Sequence, residues 1–142
     1  MDTPLSSVMT ANPACCSSDT PLREVARMMA ENDCGEIPVV ESGKLVGVIT
    51  DRDIAVRAVA EGRDASSTRA SDCMTTPVTT VSRNGSLADA CEAMERDQIR
   101  RVVVIDDAGA VCGIVAQADI ARTGRDHETA DVVQQVSQPT SH

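Results

Sequence analysis

The chain has 142 residues, which suits one compact domain or two small domains packed together. It contains no Phe, Trp or Tyr, so its core must be aliphatic and it has no aromatic platform for stacking nucleic-acid bases. The 22 acidic residues against 13 basic residues give a net charge of −9, the opposite of the balance typical of nucleic-acid-binding proteins. No stretch is long enough for a transmembrane helix, and the acidic, polar first residues are unlike a signal peptide. We therefore expect a cytoplasmic protein with reduced cysteines and with neither nucleic-acid nor membrane partners.

An internal repeat organises the whole chain. At an offset of 65 residues, Met9-Thr10 aligns with Met74-Thr75. One extra residue in the second copy changes the offset to 66, at which Asp53 aligns with Asp119. Because the register survives a single-residue insertion in a Gly-bearing turn, the match is not a chance one. Each copy predicts the order strand, helix, strand, strand, helix.

The first copy follows a simple pattern of apolar segments and turn residues. Thr20 is the expected cap of its first helix and Pro21 suits the first helical position. The two short strands that follow are separated by a Gly-bearing turn, which predicts a hairpin. The predicted elements are a strand at Ala14–Cys16, a helix with the apolar stripe Leu22, Val25, Ala26 and Met29, strands at Ile37–Val40 and Leu45–Ile49, and a helix at about Arg52–Glu61.

The second copy repeats these elements. Its predicted elements are a strand at Val78–Val81, a helix with the stripe Leu87, Ala90, Cys91 and Met94, strands at Val102–Ile105 and Val111–Val115, and a helix at about Ala118–Thr123. The tail after Gly124 is polar, and we expect one or two loose helical turns there, then disorder.

The repeat predicts an α+β fold of two β-α-β-β-α units. About 60 residues without aromatic side chains make a marginal core, so we expect the two sheets to pack face to face with pseudo-two-fold symmetry. The expected divisions are a first domain at 1–62, a linker at 63–70, a second domain at 71–124 and a tail at 125–142.

The segment from Gly47 to Asp53 is the sharpest local motif, and it has two interpretations. In the first, Thr50 caps a helix and Asp53 reaches back to the cap, which is a structural capping box. In the second, the strand end and helix N-terminus offer free N–H groups to a phosphate, while the hydroxyl and carboxylate bind a ribose.

The motifs of both copies resemble a known family. The runs Val8-Met9-Thr10 with Pro13, Gly35–Glu41 and Gly47–Ile54 look like a CBS domain, and the second copy looks like another. Together they resemble a Bateman module, the tandem CBS pair, over about residues 5–124. The likeness is closest to small stand-alone bacterial proteins, including the hypoxic-response type. It implies a non-catalytic regulatory module that binds an adenosine derivative, such as AMP, ADP, ATP or S-adenosylmethionine, and requires no cofactor.

In this family, each ligand site is shared between the two repeats. Carried over to this chain, the resemblance implies a better site formed by Thr50, Arg52, Asp53, Thr75, Thr76, Pro77, Val78, Arg100, Arg101 and Val102. It implies a weaker site formed by Asn12, Pro13, Cys15, Glu36, Ile37, Gln117 and Asp119. The second site is weaker because Ala116 stands where Thr50 stands in the first copy, and because Glu36 repels an anionic ligand.

Other functions compete with nucleotide binding. One alternative is an interaction protein, with an unknown partner, whose nucleotide sites have degenerated. Another is a thiol sensor in which Cys34 pairs with Cys15 or Cys16. The cysteines form no metal-binding pattern and both histidines lie in the tail, so we expect neither a metal site nor an enzyme. The apolar second helices, as in the family, predict a homodimer; their residues are Ile54, Ala55, Val56, Ala58, Val59, Ile120 and Ala121.

Overall fold

The computed structural model describes residues 3–122, which form two compact units. Residues 13–78 make up what we call the first-repeat unit, and residues 3–12 together with 79–122 make up the second-repeat unit. The structure expected for the tail at 125–142 lies outside the described residues. None of the helices in the described part is long and apolar enough to cross a membrane.

The helices and strands alternate as the repeat predicts. In chain order they are β1 (Thr10–Ala11), α1 (Leu22–Asn32), β2 (Glu36–Glu41), β3 (Lys44–Thr50), α2 (Asp51–Ile54), α3 (Ala70–Cys73), β4 (Thr80–Ser82), α4 (Leu87–Asp97), β5 (Arg101–Ile105), β6 (Val111–Ala116) and α5 (Gln117–Arg122). A 3-10 turn at Leu5–Ser7 precedes them, and a π-helical segment at Ala55–Val59 continues α2. The predicted fold class, an α+β protein with two such repeats, is confirmed.

The first-repeat unit is built on the hairpin of β2 and β3. Ser42 and Gly43 both have positive φ, 51° and 78°, as a two-residue hairpin turn requires. The hairpin is extended on one side by Cys16, which pairs in parallel with Val39, and on the other side by an antiparallel bridge between Thr75 and Val48. The strand predicted at Ala14–Cys16 is thus a single bridge.

Helix α1 packs its apolar stripe on this hairpin. Leu22, Val25 and Met29 are buried as predicted, whereas Ala26 is exposed. The prediction that Thr20 caps the helix is wrong, because Pro21 takes the N-cap position. The Thr20 hydroxyl instead accepts the N–H of Ser17 at 3.0 Å. The first helical N–H, that of Leu22, donates to a backbone carbonyl of the expected linker.

The second-repeat unit has a four-stranded sheet in the order β1-β6-β5-β4. Strands β5 and β6 are antiparallel, and β4 lies parallel to β5. Helix α4 is capped by Ser86, whose hydroxyl accepts the N–H of Asp89 in a capping box. The buried core residues of this unit are Leu5, Val81, Leu87, Ala90, Cys91, Ala93, Met94, Val102, Val104, Val115 and Ile120.

Each Met-Thr segment completes the sheet of the other sequence copy. Thr10 of the first copy pairs with Ile114, and Thr75 of the second copy pairs with Val48. The division by packing therefore falls at 12/13 and 78/79, whereas the domain limits 1–62 and 71–124 follow the sequence repeat. The two divisions differ because a strand joins the partner with which it can form hydrogen bonds, not the nearest one in sequence.

The second helix of the first copy is less regular than predicted. Its α-helical part ends at Ile54, and the N–H of Ala60 then bonds the carbonyl of Ala55 at 2.9 Å, a π-helical i−5 contact. The segment ends near Gly62, which has a φ of 70°. This π-helical segment begins two residues after Asp53, the last residue of the Gly47–Asp53 motif.

Candidate functional site

The junction between β3 and α2 forms a complete capping box. The hydroxyl oxygen of Thr50 accepts the N–H of Asp53 at 3.0 Å, and the Asp53 carboxylate accepts the N–H of Thr50 at 3.0 Å. Asp53 is the one charged side chain that is buried among residues 3–122, with 8% of its surface exposed. The interpretation of the motif as a structural capping box is therefore confirmed. Binding a ligand would be a second role of Asp53 beside this structural one.

The Asp53 carboxylate also receives two groups from elsewhere in the first-repeat unit. The hydroxyl of Thr75 donates to it, at 3.2 Å from Oδ1 and 3.1 Å from Oδ2. The Nε of Arg57 lies 3.9 Å from Oδ1. Arg57 also donates from Nη1 to the carbonyls of Cys73 and Met74, at 3.1 and 2.9 Å. Arg57 therefore ties the segment before Thr75 to the helix that carries Asp53.

Arg57 is a residue of this junction that the sequence motif does not include. The spacing could have predicted its ion pair with Asp53, because the two residues are four apart and such pairs face each other on a helix. Its contacts with two backbone carbonyls had no signal, since they depend on the bridge between Thr75 and Val48.

The expectation that α2 offers free N–H groups to a phosphate is wrong. The N–H of Asp51 donates to the carbonyl of Gly35 at 3.0 Å, and that of Arg52 donates to the carboxylate of Asp51 at 2.8 Å. The N–H of Asp53 is held by Thr50. The first turn is thus satisfied by protein acceptors, one of them the carboxylate of Asp51.

The corresponding junction of the second-repeat unit, between β6 and α5, forms only one of the two hydrogen bonds of a capping box. Asp119 accepts the N–H of Ala116 at 2.9 Å, but Ala116 has no hydroxyl to return the bond. Arg122 forms an ion pair with Asp119. The N–H of Gln117 donates to the carbonyl of Arg100 at 2.8 Å, whereas the buried Nε2 of Gln117 has no hydrogen-bond partner in the described chain.

Strand register gives the two junctions different charges. In the first-repeat unit Glu36 lies opposite Thr50, at the end of the hairpin next to α2. At the same position of the second-repeat unit Arg101 lies opposite Ala116. An acidic residue therefore neighbours the first junction and a basic residue neighbours the second.

The other predicted site residues divide between the units. From the better-site set, the first-repeat unit contains Thr50, Arg52, Asp53, Thr75, Thr76, Pro77 and Val78, and the second-repeat unit contains Arg100, Arg101 and Val102. From the weaker-site set, the first-repeat unit contains Pro13, Cys15, Glu36 and Ile37, and the second-repeat unit contains Asn12, Gln117 and Asp119. The structure brings Thr75 to Asp53, while the sharing of a site between the repeats stays a prediction.

The thiols predicted to pair are free in the structure. Cys16 is opposite Val39 of β2, whereas Cys34 precedes the first residue of that strand, so this strand pairing does not place Cys34 directly beside Cys16. The pairing of Cys34 with Cys15 or Cys16 stays a prediction. Burial raises the pKa of the Cys16 thiol to about 11 and also raises the pKa of Cys15, so both favour the unreactive neutral form.

Among residues 3–122, no group of three or more His, Cys, Asp or Glu side chains could hold a metal ion. Both histidines, His127 and His142, lie outside this range.

Comparison with known proteins identifies the class. The family model described as "CBS domain" matches residues 5–59 and 70–126. The chain therefore belongs to the CBS domain family and carries two CBS domains. It is 42% identical over 122 residues to the CBS domain-containing protein YhcV of Bacillus subtilis (strain 168), covering 86% of both chains.

Two solved structures share the fold. Hypoxic Response Protein I, solved with two coordinated zinc ions, has a TM-score of 0.77 and 34% identity, over 84% of this chain and 98% of that one. The CBS domain pair of protein MJ0100, in complex with 5′-methylthioadenosine and S-adenosyl-L-methionine, has a TM-score of 0.76 and 28% identity, over 86% of this chain and 99% of that one. The expected likeness to the hypoxic-response type is thereby confirmed.

Proposed function

We propose that this protein is a non-catalytic regulatory module that binds an adenosine derivative at the β3–α2 junction of its first-repeat unit. Thr50, Asp53 and Thr75 form the centre of this site, and the ligand belongs to the class of AMP, ADP, ATP and S-adenosylmethionine. Binding would regulate a protein partner by favouring one of two states of the module, as any ligand with unequal affinity for two states does.

One observation carries this proposal. Asp53 is a buried carboxylate with two hydroxyl side chains, Thr50 and Thr75, in its immediate surroundings. A carboxylate has about four lone-pair positions. The Thr50 N–H and the Thr75 hydroxyl leave acceptor capacity on Asp53, which suits the two adjacent hydroxyls of a ribose.

The chain's composition also fits such a ligand. An adenine ring can pack among aliphatic groups, and this chain supplies no aromatic side chains. The complex of the MJ0100 CBS domain pair with two adenosine derivatives supports the same ligand class for a protein of this family.

Titration calorimetry on paired variants tests the proposal. We expect wild-type protein to bind at least one of AMP, ATP, S-adenosylmethionine and 5′-methylthioadenosine. Asp53→Ala should lower the affinity about tenfold or more, since a hydrogen bond to a charged group contributes about 1.5–3 kcal/mol.

Asp119→Ala is the matched control, because it removes the equivalent carboxylate from the junction that lacks a threonine. It should change the affinity by less than about threefold, or well under 1 kcal/mol. Equal losses, or a larger loss from Asp119→Ala, would contradict the site assignment. Absence of binding by all four compounds would favour an interaction protein with degenerate sites.

We also propose that the protein forms a homodimer through the π-helical segment. Val56 and Val59 are 51% and 72% exposed, while Ala58 and Ile120 are buried within their own units and cannot form the contact. Val56→Glu and Val59→Glu should each convert a dimer to a monomer in light scattering at concentrations well above micromolar. A monomeric wild-type protein would contradict this proposal.

A further inference from the structure

The junction proposed to bind an adenosine derivative has the charge of a site that rejects phosphate. Resting on that proposed function, we infer that Glu36 and Asp51 are specificity-determining residues. They select an adenosine derivative whose 5′ substituent is neutral or cationic, such as a thioether or a sulfonium, over a 5′-phosphate.

Three acidic residues belong to, or are paired with, the β3–α2 junction. Asp53 is the buried group that would bind the ribose, Asp51 is the first residue of α2, and Glu36 is opposite Thr50 in the hairpin. A 5′-phosphate bound at this junction would bring two further negative charges close to them, and like charges at short range are repelled strongly when water is partly excluded.

The backbone offers this phosphate no compensation. A helix N-terminus attracts anions through its unpaired N–H groups. In α2 the N–H groups of Asp51, Arg52 and Asp53 are all bonded to protein oxygens at 2.8–3.0 Å. The carboxylate of Asp51 accepts the Arg52 N–H and so takes the position that a bound anion would otherwise take.

The nearby guanidinium groups do not reverse this charge. Arg57 already donates to two backbone carbonyls and lies 3.9 Å from Asp53. Arg52 is exposed on α2 beside the equally exposed Asp51, so the charge of Arg52 is offset by that neighbour. These two guanidinium groups therefore leave no excess of positive charge for a phosphate, in a chain whose net charge is −9.

The second-repeat unit provides the internal contrast. The position of Glu36 is taken there by Arg101, and the position of Asp51 is taken by the neutral Gln117. Substituting each acidic residue by its counterpart therefore changes the charge of the first junction with side chains that the same backbone already accommodates elsewhere in the chain.

Calorimetry with two matched probes tests the inference. The titrations use the full chain carrying Asp119→Ala, so that the heat reports the Asp53 site, and compare 5′-methylthioadenosine with AMP. The two compounds share adenine and ribose and differ in the 5′ substituent. We expect 5′-methylthioadenosine to bind about tenfold or more tightly than AMP at low salt, with the ratio decreasing as salt increases.

The exchange variants give the second readout. Asp51→Gln and Glu36→Arg should each raise AMP affinity severalfold while leaving 5′-methylthioadenosine affinity within about twofold. Thermal unfolding shows which variants remain folded; Asp51 is exposed, so Asp51→Gln keeps the test available if Glu36→Arg disturbs the hairpin.

The outcomes separate this inference from the proposed function. AMP binding as tightly as 5′-methylthioadenosine, with Asp53→Ala abolishing both, overturns the selectivity and leaves the adenosine site standing. Unchanged AMP affinity in both folded exchange variants overturns the role of Glu36 and Asp51. Absence of binding by both probes overturns the inference, and the proposed function is overturned as well when ATP and S-adenosylmethionine also fail to bind.

Discussion

The two units of this protein share a topology but differ in how their strand-to-helix junctions are completed. Each has an antiparallel hairpin flanked by a parallel partner on one side and a Met-Thr segment on the other. In the first-repeat unit the junction carries Thr50 and a carboxylate with several partners, whereas the second has Ala116 and half a capping box. The shared topology therefore follows the apolar pattern and the turns, whereas the two junctions differ in a few side chains at one position.

The largest expected effect on stability concerns the two strand glycines that the Met-Thr segments cover. A Cβ on Gly113 would lie 2.6 Å from Met9 Sδ and 2.9 Å from the backbone oxygen of Thr10. A Cβ on Gly47 would lie 2.6 Å from Met74 Sδ, and its other close neighbours are also side-chain atoms. A methionine can rotate away more easily than a paired strand can move.

We therefore predict that Gly113→Ala lowers the free energy of unfolding by about 3 kcal/mol and Gly47→Ala by about 1 kcal/mol, the two ends of the usual range for overpacking. Chemical denaturation of the two variants measures the difference. Equal losses would show that the backbone of Thr10 yields as readily as a side chain does.

A second contrast lies in the parallel bridge beside each hairpin. Cys16 pairs with Val39 in the first-repeat unit, and Val81 has the same position in the second. Burial raises the pKa of Cys16 from its usual 9.0 to about 11. The folded state thus holds the thiol protonated more strongly than the unfolded state does. The contribution of Cys16 to the free energy of unfolding is therefore fully present below pH 9 and is lost as pH rises from about 9 to about 11.

Within that pH range, deprotonation of the Cys16 thiol alone should lower the free energy of unfolding by about 1.4 kcal/mol per pH unit. Cys16→Val, which copies the second-repeat unit, should reduce this slope and leave the smaller contributions of Cys15 and Cys73, whose pKa values are also raised by burial. Urea unfolding at several pH values provides the measurement. An unchanged slope in the variant would mean that Cys16 is not the titrating group.

Most of the fold could be predicted from the sequence because its signals are local. The stripe of α1 and the turn between β2 and β3 were both readable, and the structure confirms them. What failed was non-local: Leu22 donates its N–H to the carbonyl of Thr68, so α1 does not use Thr20 as its cap. The exchange of Met-Thr segments between copies is equally non-local, since no window of sequence shows which strand a segment will join.

The candidate site was predictable to a similar extent. The capping box and the unequal threonines follow from the motif itself. The contact of Thr75 with Asp53 came only from the family resemblance, and the carbonyl contacts of Arg57 came from neither source. The motif does not show that the N–H groups of α2 are occupied. The acceptor for the N–H of Asp51 is the carbonyl of Gly35, which lies 16 residues earlier in the chain.

The smallest effect, and the most direct test of the comparison, is an exchange of the two cap residues. Thr50→Ala removes the oxygen that accepts the Asp53 N–H and should cost about 1 kcal/mol of unfolding free energy, the usual contribution of an N-cap. Ala116→Thr adds a hydroxyl where Asp119 already accepts the N–H of residue 116, so it should complete the box and stabilise the second-repeat unit by up to about 1 kcal/mol. Additive effects of the two substitutions would leave the double variant close to wild type in its free energy of unfolding. If Ala116→Thr instead destabilises the protein, the second junction lacks room for a threonine, and the difference between the units extends to backbone packing as well as to the side chains.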